Sequence, residues 1–383
     1  MLNHNFAGQG TYWRCLHLGR GLASRGHDVT LFTRHPSARL RARRRKVDGV
    51  TVVETPLGVL GRLHLGEWGL LDIGLRVLHL VRRRPEILMA FSQHPDVAIP
   101  FFASKALRLS RFHHADRDDL QRGALLETAF RGTRLEWSIP LGERWERAIP
   151  AAADAVTTIS SPLRDEAVAW GLDPAKVLFL PSGADTSRRR PDRAAARRAT
   201  GLPTDARIAI YVTSGGGGDV RHLPAAIAEA RSRVPDALFV CLGPRQDALE
   251  LEGVLQTGLV PSEEVPMWLA AANVAIMPFG DRPAERAYNA ARWPIKLGEY
   301  MAAGLAVIAC DIGETARVVR EERIGIVAKA DMSDFGERVA ELLLDTRRAD
   351  ELGANARNAA EQRYDWRILA GRLEAFLRER GAG

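Results

Sequence analysis

Apolar positions fall into short continuous runs that alternate with stretches of helical spacing, and the alternation occurs twice along the chain. In the first half the pattern predicts a helix over 12–25, ended by Gly26, and a strand over 28–33. A strand over 50–54, a helix around 70–82, a strand over 87–91, a helix over 97–109 and a short strand ending near His113 follow. A helix near 127–149, a strand over 155–160, a helix opened by Ser161-Pro162 and a strand over 177–180 close this half. The second half restarts with a strand over 207–213, a glycine loop, a helix over 223–234 and a strand over 237–242. Strands over 254–260 and 274–278 flank a helix over 262–272. Pro294 suits the first turn of a further helix and Gly304 its end. Apolar strands over 305–311 and 326–328 follow, then three helices, the last over about 365–378.

Two rounds of strand–helix alternation predict an α/β protein of two doubly wound, Rossmann-like domains. In such sheets ligands bind outside the carboxyl ends of the strands, so two domains facing one another would form a cleft. The expected division is 1–184, an arginine-rich linker over 185–204, 205–364, and a C-terminal helix over 365–383 that crosses back. The first domain departs from this scheme at its start. A buried strand should precede the loop at Gly8–Gly10, yet only Met1-Leu2 is apolar there, so about six residues of central strand are expected to be missing.

Composition adds limits. A hydrophobic share of 46% and a charged share of 26% suit a water-soluble fold. The longest apolar runs, such as 97–103, fall far short of the roughly 20 residues that span a bilayer. Cys15, Cys241 and Cys310 are scattered in apolar contexts with no metal spacing, which favours the cytoplasm. The net charge of +7 sits in the first half, where residues 1–180 hold 26 Lys and Arg against 18 Asp and Glu. The clusters 39–46 (RLRARRRK) and 82–84 suit an anionic membrane surface. No zinc finger, helix-turn-helix or aromatic platform accompanies them, so no nucleic acid partner is expected.

The densest chemistry lies in 292–304, RWPIKLGEYMAAG. Lys296 and Glu299, three apart, share a face near the helix start, where free N–H groups and the helix dipole suit a phosphate. A cation and a carboxylate there suit a phosphate joined to a ribose. Arg292, just before, suits a pyrophosphate. Gly215, Gly216 and Gly217, with Arg221 after them, form a strand-to-helix loop whose amides would approach an anion closely. Gly8 and Gly10 occupy the same place in the first domain and would admit a substrate to the backbone. His114 and Asp116, in HHADRDD, end a strand and offer a donor and a proton acceptor. His94 ends another strand in a similar way. None of these has metal-ligand spacing.

The segments TGLVPSEEVP over 257–266, AIMPF over 275–279, PIKLGEYMAAG, AVIACDIGET and 364–366 (YDW) resemble the large family of retaining, nucleotide-sugar-dependent glycosyltransferases with the GT-B fold, of the group 1, family 4-like type. The resemblance implies an enzyme of the hexosyltransferase class, with the acceptor in the first domain and the donor in the second. It implies that Glu299 holds the nucleotide ribose, as the second glutamate of the family's paired signature, and that Leu259 and Val260 lie against the base. The first glutamate of that signature falls at Ala291, and the usual Arg/Lys pair after the domain's first strand is absent. Lys296 and Arg292 are then the cations that face the leaving diphosphate. No metal or other cofactor is expected. The expected partners are a nucleoside diphosphate sugar and a lipid-linked, saccharide or small-molecule acceptor. Cytoplasmic placement, peripheral on the inner face of the plasma membrane, follows. A nucleotide-sugar epimerase of the same fold and a non-catalytic binding protein are the alternative readings.

Overall fold

The computed structural model describes residues 1–35, 41–56, 69–118, 137, 139–188, 190–213, 219–280 and 283–382. It comprises two compact units, residues 1–181 with 366–383, and residues 182–365. The first runs β1 (Leu2–Phe6), α1 (Thr11–Ser24), β2 (Thr30–Arg34), β3 (Arg43–Val47), β4 (Val50–Thr55), α2 (Leu70–Arg83), β5 (Ile87–Phe91), α3 (Pro95–Ala106), β6 (Phe112–Arg117), α4 (Ile139–Ala152), β7 (Ala155–Thr158), α5 (Ser161–Ala169) and β8 (Val177–Phe179). Its sheet has the order β3-β4-β2-β1-β5-β6-β7-β8, parallel except where β3 meets β4. Strands β6 and β7 are buried along their whole length, as a parallel sheet covered on both faces requires.

One expectation is corrected here. The missing strand is present: β1 lies between β2 and β5, with Leu2 opposite both Phe32 and Ala90. It reads as a loop because three of its five residues, Asn3, His4 and Asn5, are polar. Asn3 is fully buried and meets its needs locally, donating to the Asn5 carbonyl (3.2 Å) and to Thr33 Oγ1 (3.4 Å). The basic cluster over 39–46 contains most of the edge strand β3. Arg45 Nε there donates to Glu54 Oε1 at 2.8 Å, and the exposed cations around it guard a sheet edge against further pairing. The helix placed near 127–149 lies partly outside the described residues, and α4 begins at Ile139.

The second unit runs α6 (Arg193–Thr200), β9 (Arg207–Val212), α7 (Leu223–Arg233), β10 (Ala237–Leu242), β11 (Val254–Gly258), α8 (Val265–Ala271), β12 (Val274–Met277), α9 (Pro283–Ala291), α10 (Ile295–Ala302), β13 (Ala306–Cys310), α11 (Gly313–Glu321), β14 (Gly325–Ala328), α12 (Phe335–Leu344) and α13 (Thr346–Ala359). Its wholly parallel sheet has the order β11-β10-β9-β12-β13-β14. Residues 193–200, read as linker, are a packed helix. Asp192 caps it by accepting from the Ala195 amide (3.0 Å), and the buried Arg197 donates to the Ala271 carbonyl (2.9 Å) and Asn273 Oδ1 (2.8 Å). Alternating alanine and arginine hides such a helix, because its burial is carried by Ala196 and one arginine.

A last helix, α14 (Trp366–Glu379), belongs to the first unit and packs on α1. A Cβ at Gly21 would lie 2.4 Å from the Ala370 Cβ, so glycine is what lets the two helices approach.

Candidate functional site

In the second unit, the first strand β9 has β10 on one side and β12 on the other. Strand order reverses at that point, where pairing of β9 with β12 ends at Ile210 and Ala275, and such a reversal leaves a crevice at the carboxyl ends of the strands. Helix α10 is pinned there by Tyr300. Its hydroxyl accepts the Val212 amide at 3.0 Å, and its ring is fully buried. The burial pushes the phenol well above its ordinary range, so it stays neutral. Gly298 lets the helix sit close, since a Cβ would lie 2.1 Å from the Gly183 carbonyl oxygen. With its axis fixed, α10 places Lys296 and Glu299 by helical geometry alone.

Lys296 Nζ lies 4.7 Å from the centroid of the Tyr211 ring, on β9, and 5.3 Å from that of Phe279, just after β12. The ammonium therefore stands over the switch point, held on two aromatic faces. Arg292 reaches the same place from the end of α9. Its guanidinium carbon is 4.1 Å from the Phe279 centroid and 5.2 Å from that of Tyr288, and its Nη1 donates to Asn289 Oδ1 at 3.2 Å. Asn289 is buried and donates to the Gly280 carbonyl at 3.0 Å. Two cations thus share one aromatic ring at the end of β12. Glu299 is half-buried rather than freely exposed, and burial holds its carboxyl above the ordinary range, with Lys296 opposing that shift.

The outer wall of the crevice comes from β10 and β11. Gly243 has φ +138°, and a Cβ there would lie 2.0 Å from the Thr213 carbonyl oxygen; its amide donates to the Gly258 carbonyl at 3.1 Å. That close approach draws the ends of β9, β10 and β11 together. Leu259 follows at once, 79% exposed, beside the half-buried Val260. An apolar side chain so open at a strand end is a face on which a planar ring can lie. Arg221 is exposed on the turn before α7. Gly215, Gly216 and Gly217 lie outside the described residues.

Sequence reasoning missed the aromatic floor, Tyr211 and Phe279, and the anchor Tyr300, because aromatics in apolar runs look like core. It also missed His222, whose Nε2 is buried without a partner among the described residues and faces the space left by Gly280. A histidine opening a helix after a glycine loop was the available signal.

In the first unit, His114 and Asp116 sit at the end of β6, but both are sealed in. Asp116 receives Arg14 Nε and Nη2, each at 2.8 Å, and also the Thr157 hydroxyl. Arg14 further donates to the carbonyls of Leu180 and Pro181 at 2.9 Å each. Because Thr157 gives its one proton to Asp116, His114 Nε2 carries a proton and donates to Thr157 Oγ1 at 2.9 Å. His114 is fully buried and its pKa is lowered to about 4, mainly by burial. The expectation that these two groups meet substrate is corrected: they lie in a buried network beneath the strand end, with His114 Nδ1 left without a hydrogen-bond partner among the described residues. Thr11, which opens α1, bonds Asp118 above it.

Gly8 and Gly10 lie in the turn between β1 and α1, at φ +87° and +50°. A Cβ at Gly8 would meet nothing within 4 Å, whereas one at Gly10 would lie 2.9 Å from Asn5 Nδ2. His94, at the start of α3, stacks on His4 with ring centroids 4.1 Å apart. Burial first, and the nearby His94 and Arg34, hold His4 well below its ordinary pKa. A cavity of about 570 Å³ opens at the amino ends of β1, β2 and β5, beside Thr30, Ile87 and Leu377. It is away from the carboxyl ends where the sheet gathers its polar groups. No group of three metal-ligating side chains converges among the described residues, and no described helix is long and apolar enough to cross a membrane.

Comparison with known proteins places this geometry. Residues 8–183 match the Glycosyl transferase 4-like domain, and residues 218–345 match the Glycosyl transferases group 1 domain. The GDP-mannose-dependent alpha-(1-6)-phosphatidylinositol monomannoside mannosyltransferase of Mycobacterium tuberculosis is 32% identical over 306 residues, 75% of this chain and 77% of its own. Among solved structures, the sucrose-phosphate synthase of Thermosynechococcus elongatus superposes with a TM-score of 0.74 at 18% identity, over 99% of this chain and 95% of its own. Anabaena HepE, in complex with UDP-glucose, superposes with a TM-score of 0.67 at 15% identity, over 99% of both chains.

Proposed function

The chain belongs to the group 1, family 4-like glycosyltransferases of the GT-B fold, and from that premise we propose that it moves a hexose, with retention, from a nucleoside diphosphate sugar to the hydroxyl of a lipid-linked acceptor. The observation that carries this reading is the placement of Lys296 over Tyr211 and Phe279, with Glu299 on the next turn and Leu259 open at the neighbouring strand end. Glu299 takes the ribose hydroxyls, Leu259 and Val260 take the base, and Lys296 and Arg292 face the diphosphate.

Charge grows on the diphosphate as the glycosidic bond breaks. Two cations already desolvated against aromatic rings meet that charge without reorganising, which is where most of the rate gain of such sites lies. The acceptor hydroxyl attacks the face that the diphosphate leaves, and its proton passes to the departing phosphate. No side-chain base is required by this route, which agrees with the burial of Asp116. Nor is a metal, since the two cations and the start of α10 supply the positive charge.

The relative that uses GDP-mannose on a phosphatidylinositol mannoside supports a mannosyl donor and a lipid acceptor. Titration calorimetry with GDP, UDP, GDP-mannose and UDP-glucose tests the reading. Micromolar binding of a guanosine ligand is expected, and absence of binding by every nucleotide would overturn it.

A further inference from the structure

The roles of Lys296, Arg292 and Glu299 leave one polar group of the crevice unused. His222 immediately precedes α7, and its side chain caps none of the amides of that helix. The residue is half-buried, and its Nε2 is shut off from water with no hydrogen-bond partner among the described residues. Buried polar atoms are paired as a rule, because an unpaired one forfeits its hydration for nothing. A histidine that neither caps its helix nor satisfies its own nitrogen is a poor packing residue, since an apolar side chain would fill the same space without that cost.

The surroundings of the ring point to its partner. Gly280 follows Phe279 just after β12, and a Cβ there would lie 2.6 Å from His222 Nε2, 3.0 Å from Cε1 and 3.1 Å from Cδ2. The missing side chain of Gly280 is therefore the seat of the imidazole edge. Because α7 follows β9 and Gly280 follows β12, the contact spans the two strands between which the sheet order reverses. Gly280 is also tied to the cations: its carbonyl accepts Asn289 Nδ2 at 3.0 Å, and Asn289 Oδ1 accepts Arg292 Nη1 at 3.2 Å. Phe279, one residue earlier, carries Arg292 at 4.1 Å and Lys296 at 5.3 Å from its ring centroid. Two cations and an imidazole are thus gathered at the end of β12 from three segments of the chain. A group with several anionic oxygens and no donor of its own, such as a phosphate, fits that set.

We propose that His222 is a further contact of the donor, its Nε2–H donating to an oxygen of the sugar-bearing phosphate beside Lys296 and Arg292. Strand order selects that phosphate. With the base at Leu259, just after the edge strand β11, the ligand runs across β10 and β9 and brings its far phosphate to β12, where His222 sits. The inference rests on the donor reading of this crevice, since it presupposes a nucleoside diphosphate there.

Titration calorimetry on the full chain tests it, with GDP and UDP each beside its own monophosphate, which lacks the far phosphate. The wild type is compared with His222→Leu, which keeps the bulk and loses the donor, and with His222→Gln, whose amide nitrogen reaches the place of Nε2. Thermal unfolding of the same samples checks that both variants fold, and His222→Ala replaces the leucine variant if that one does not. Loss of the donor should weaken binding of the diphosphate about tenfold, the scale of one hydrogen bond to a charged group. Binding of the monophosphate should change by less than about twofold. His222→Gln should recover most of the diphosphate affinity. Unchanged diphosphate affinity without the donor, an equal loss for monophosphate and diphosphate, or no recovery in His222→Gln would overturn the proposal and leave the donor reading standing. A wild type that binds neither diphosphate would overturn that reading, and this contact with it.

Discussion

The ammonium of Lys296 stands 4.7 Å from the centre of the Tyr211 ring, which joins the first turn of α10 to the end of the central strand β9. Tyr300 makes the same connection one turn later through the Val212 amide. A flexible lysine is thereby held at the switch point of the sheet, already stripped of part of its water. Replacing it with alanine should lower turnover at saturating donor by about 100-fold, in the range of a lost transition-state donor. Donor affinity should fall less than tenfold, because the diphosphate gains charge only as the bond breaks. Normal turnover of Lys296→Ala would leave the lysine as a packing partner of Tyr211 alone.

Glu299 should trade stability for binding. Its carboxyl has a raised pKa in the folded chain, so the unfolded chain holds fewer protons between the two values, and stability falls as pH rises through that window. The full penalty is present once pH exceeds the raised value. Glu299→Gln should therefore raise the melting temperature of the nucleotide-free protein while weakening nucleotide binding at least tenfold, about 1.4 kcal/mol. Calorimetry and thermal unfolding on one preparation check both halves. A variant that melts lower and binds normally would remove Glu299 from the site.

Both units were legible from hydrophobic periodicity, because most of their buried parallel strands are apolar and their helices carry caps and glycine stops. What stayed hidden was structure built from polar residues. Strand β1 buries Asn3 by hydrogen bonding, β3 is a run of cations at a sheet edge, and α6 packs through Ala196 and Arg197. The site divides in the same way. Lys296 and Glu299 were readable because helical spacing alone puts them on one face. Their supports, Tyr211, Phe279 and Tyr300, come from distant segments that only the folded sheet brings together. His114 and Asp116 misled because a strand end displays some side chains and buries others, and a sequence does not say which.

The buried histidine gives the first unit a pH dependence of opposite sign. With the His114 pKa lowered to about 4 from 6.5, the unfolded chain binds more protons between those values, and stability rises with pH across that window. The linked loss on acidification amounts to roughly 3 kcal/mol. His114→Gln should flatten the stability profile between these two pH values, measured by urea unfolding. An unchanged profile would place the acid sensitivity elsewhere.

Asp116→Ala should act on the fold before it acts on the chemistry. It leaves Arg14 buried with its strongest partner gone, which costs about 3–5 kcal/mol in comparable buried pairs. Urea unfolding should show that loss. A variant of unchanged stability that is nevertheless inactive would restore Asp116 as a group that meets the substrate.

Gly243→Ala should open the outer wall of the crevice. The added carbon would sit on the Thr213 carbonyl oxygen, in a backbone conformation that alanine rarely adopts. A stability loss of about 2 kcal/mol or more is expected, together with weaker nucleotide binding. Chemical denaturation and calorimetry would read both, and a neutral effect would contradict the close packing of β9, β10 and β11.

The central claim, transfer of a sugar from a nucleoside diphosphate at the α10 crevice, is tested most directly by proton NMR of the reaction itself. The full chain would be incubated with GDP-mannose, in parallel with UDP-glucose, and a phosphatidylinositol mannoside acceptor in vesicles. The anomeric proton of the new glycoside and the released nucleotide would be followed together. Stoichiometric release of GDP with an α-linked product is the expected result. Release of neither nucleotide, with the donors intact after prolonged incubation, would contradict it.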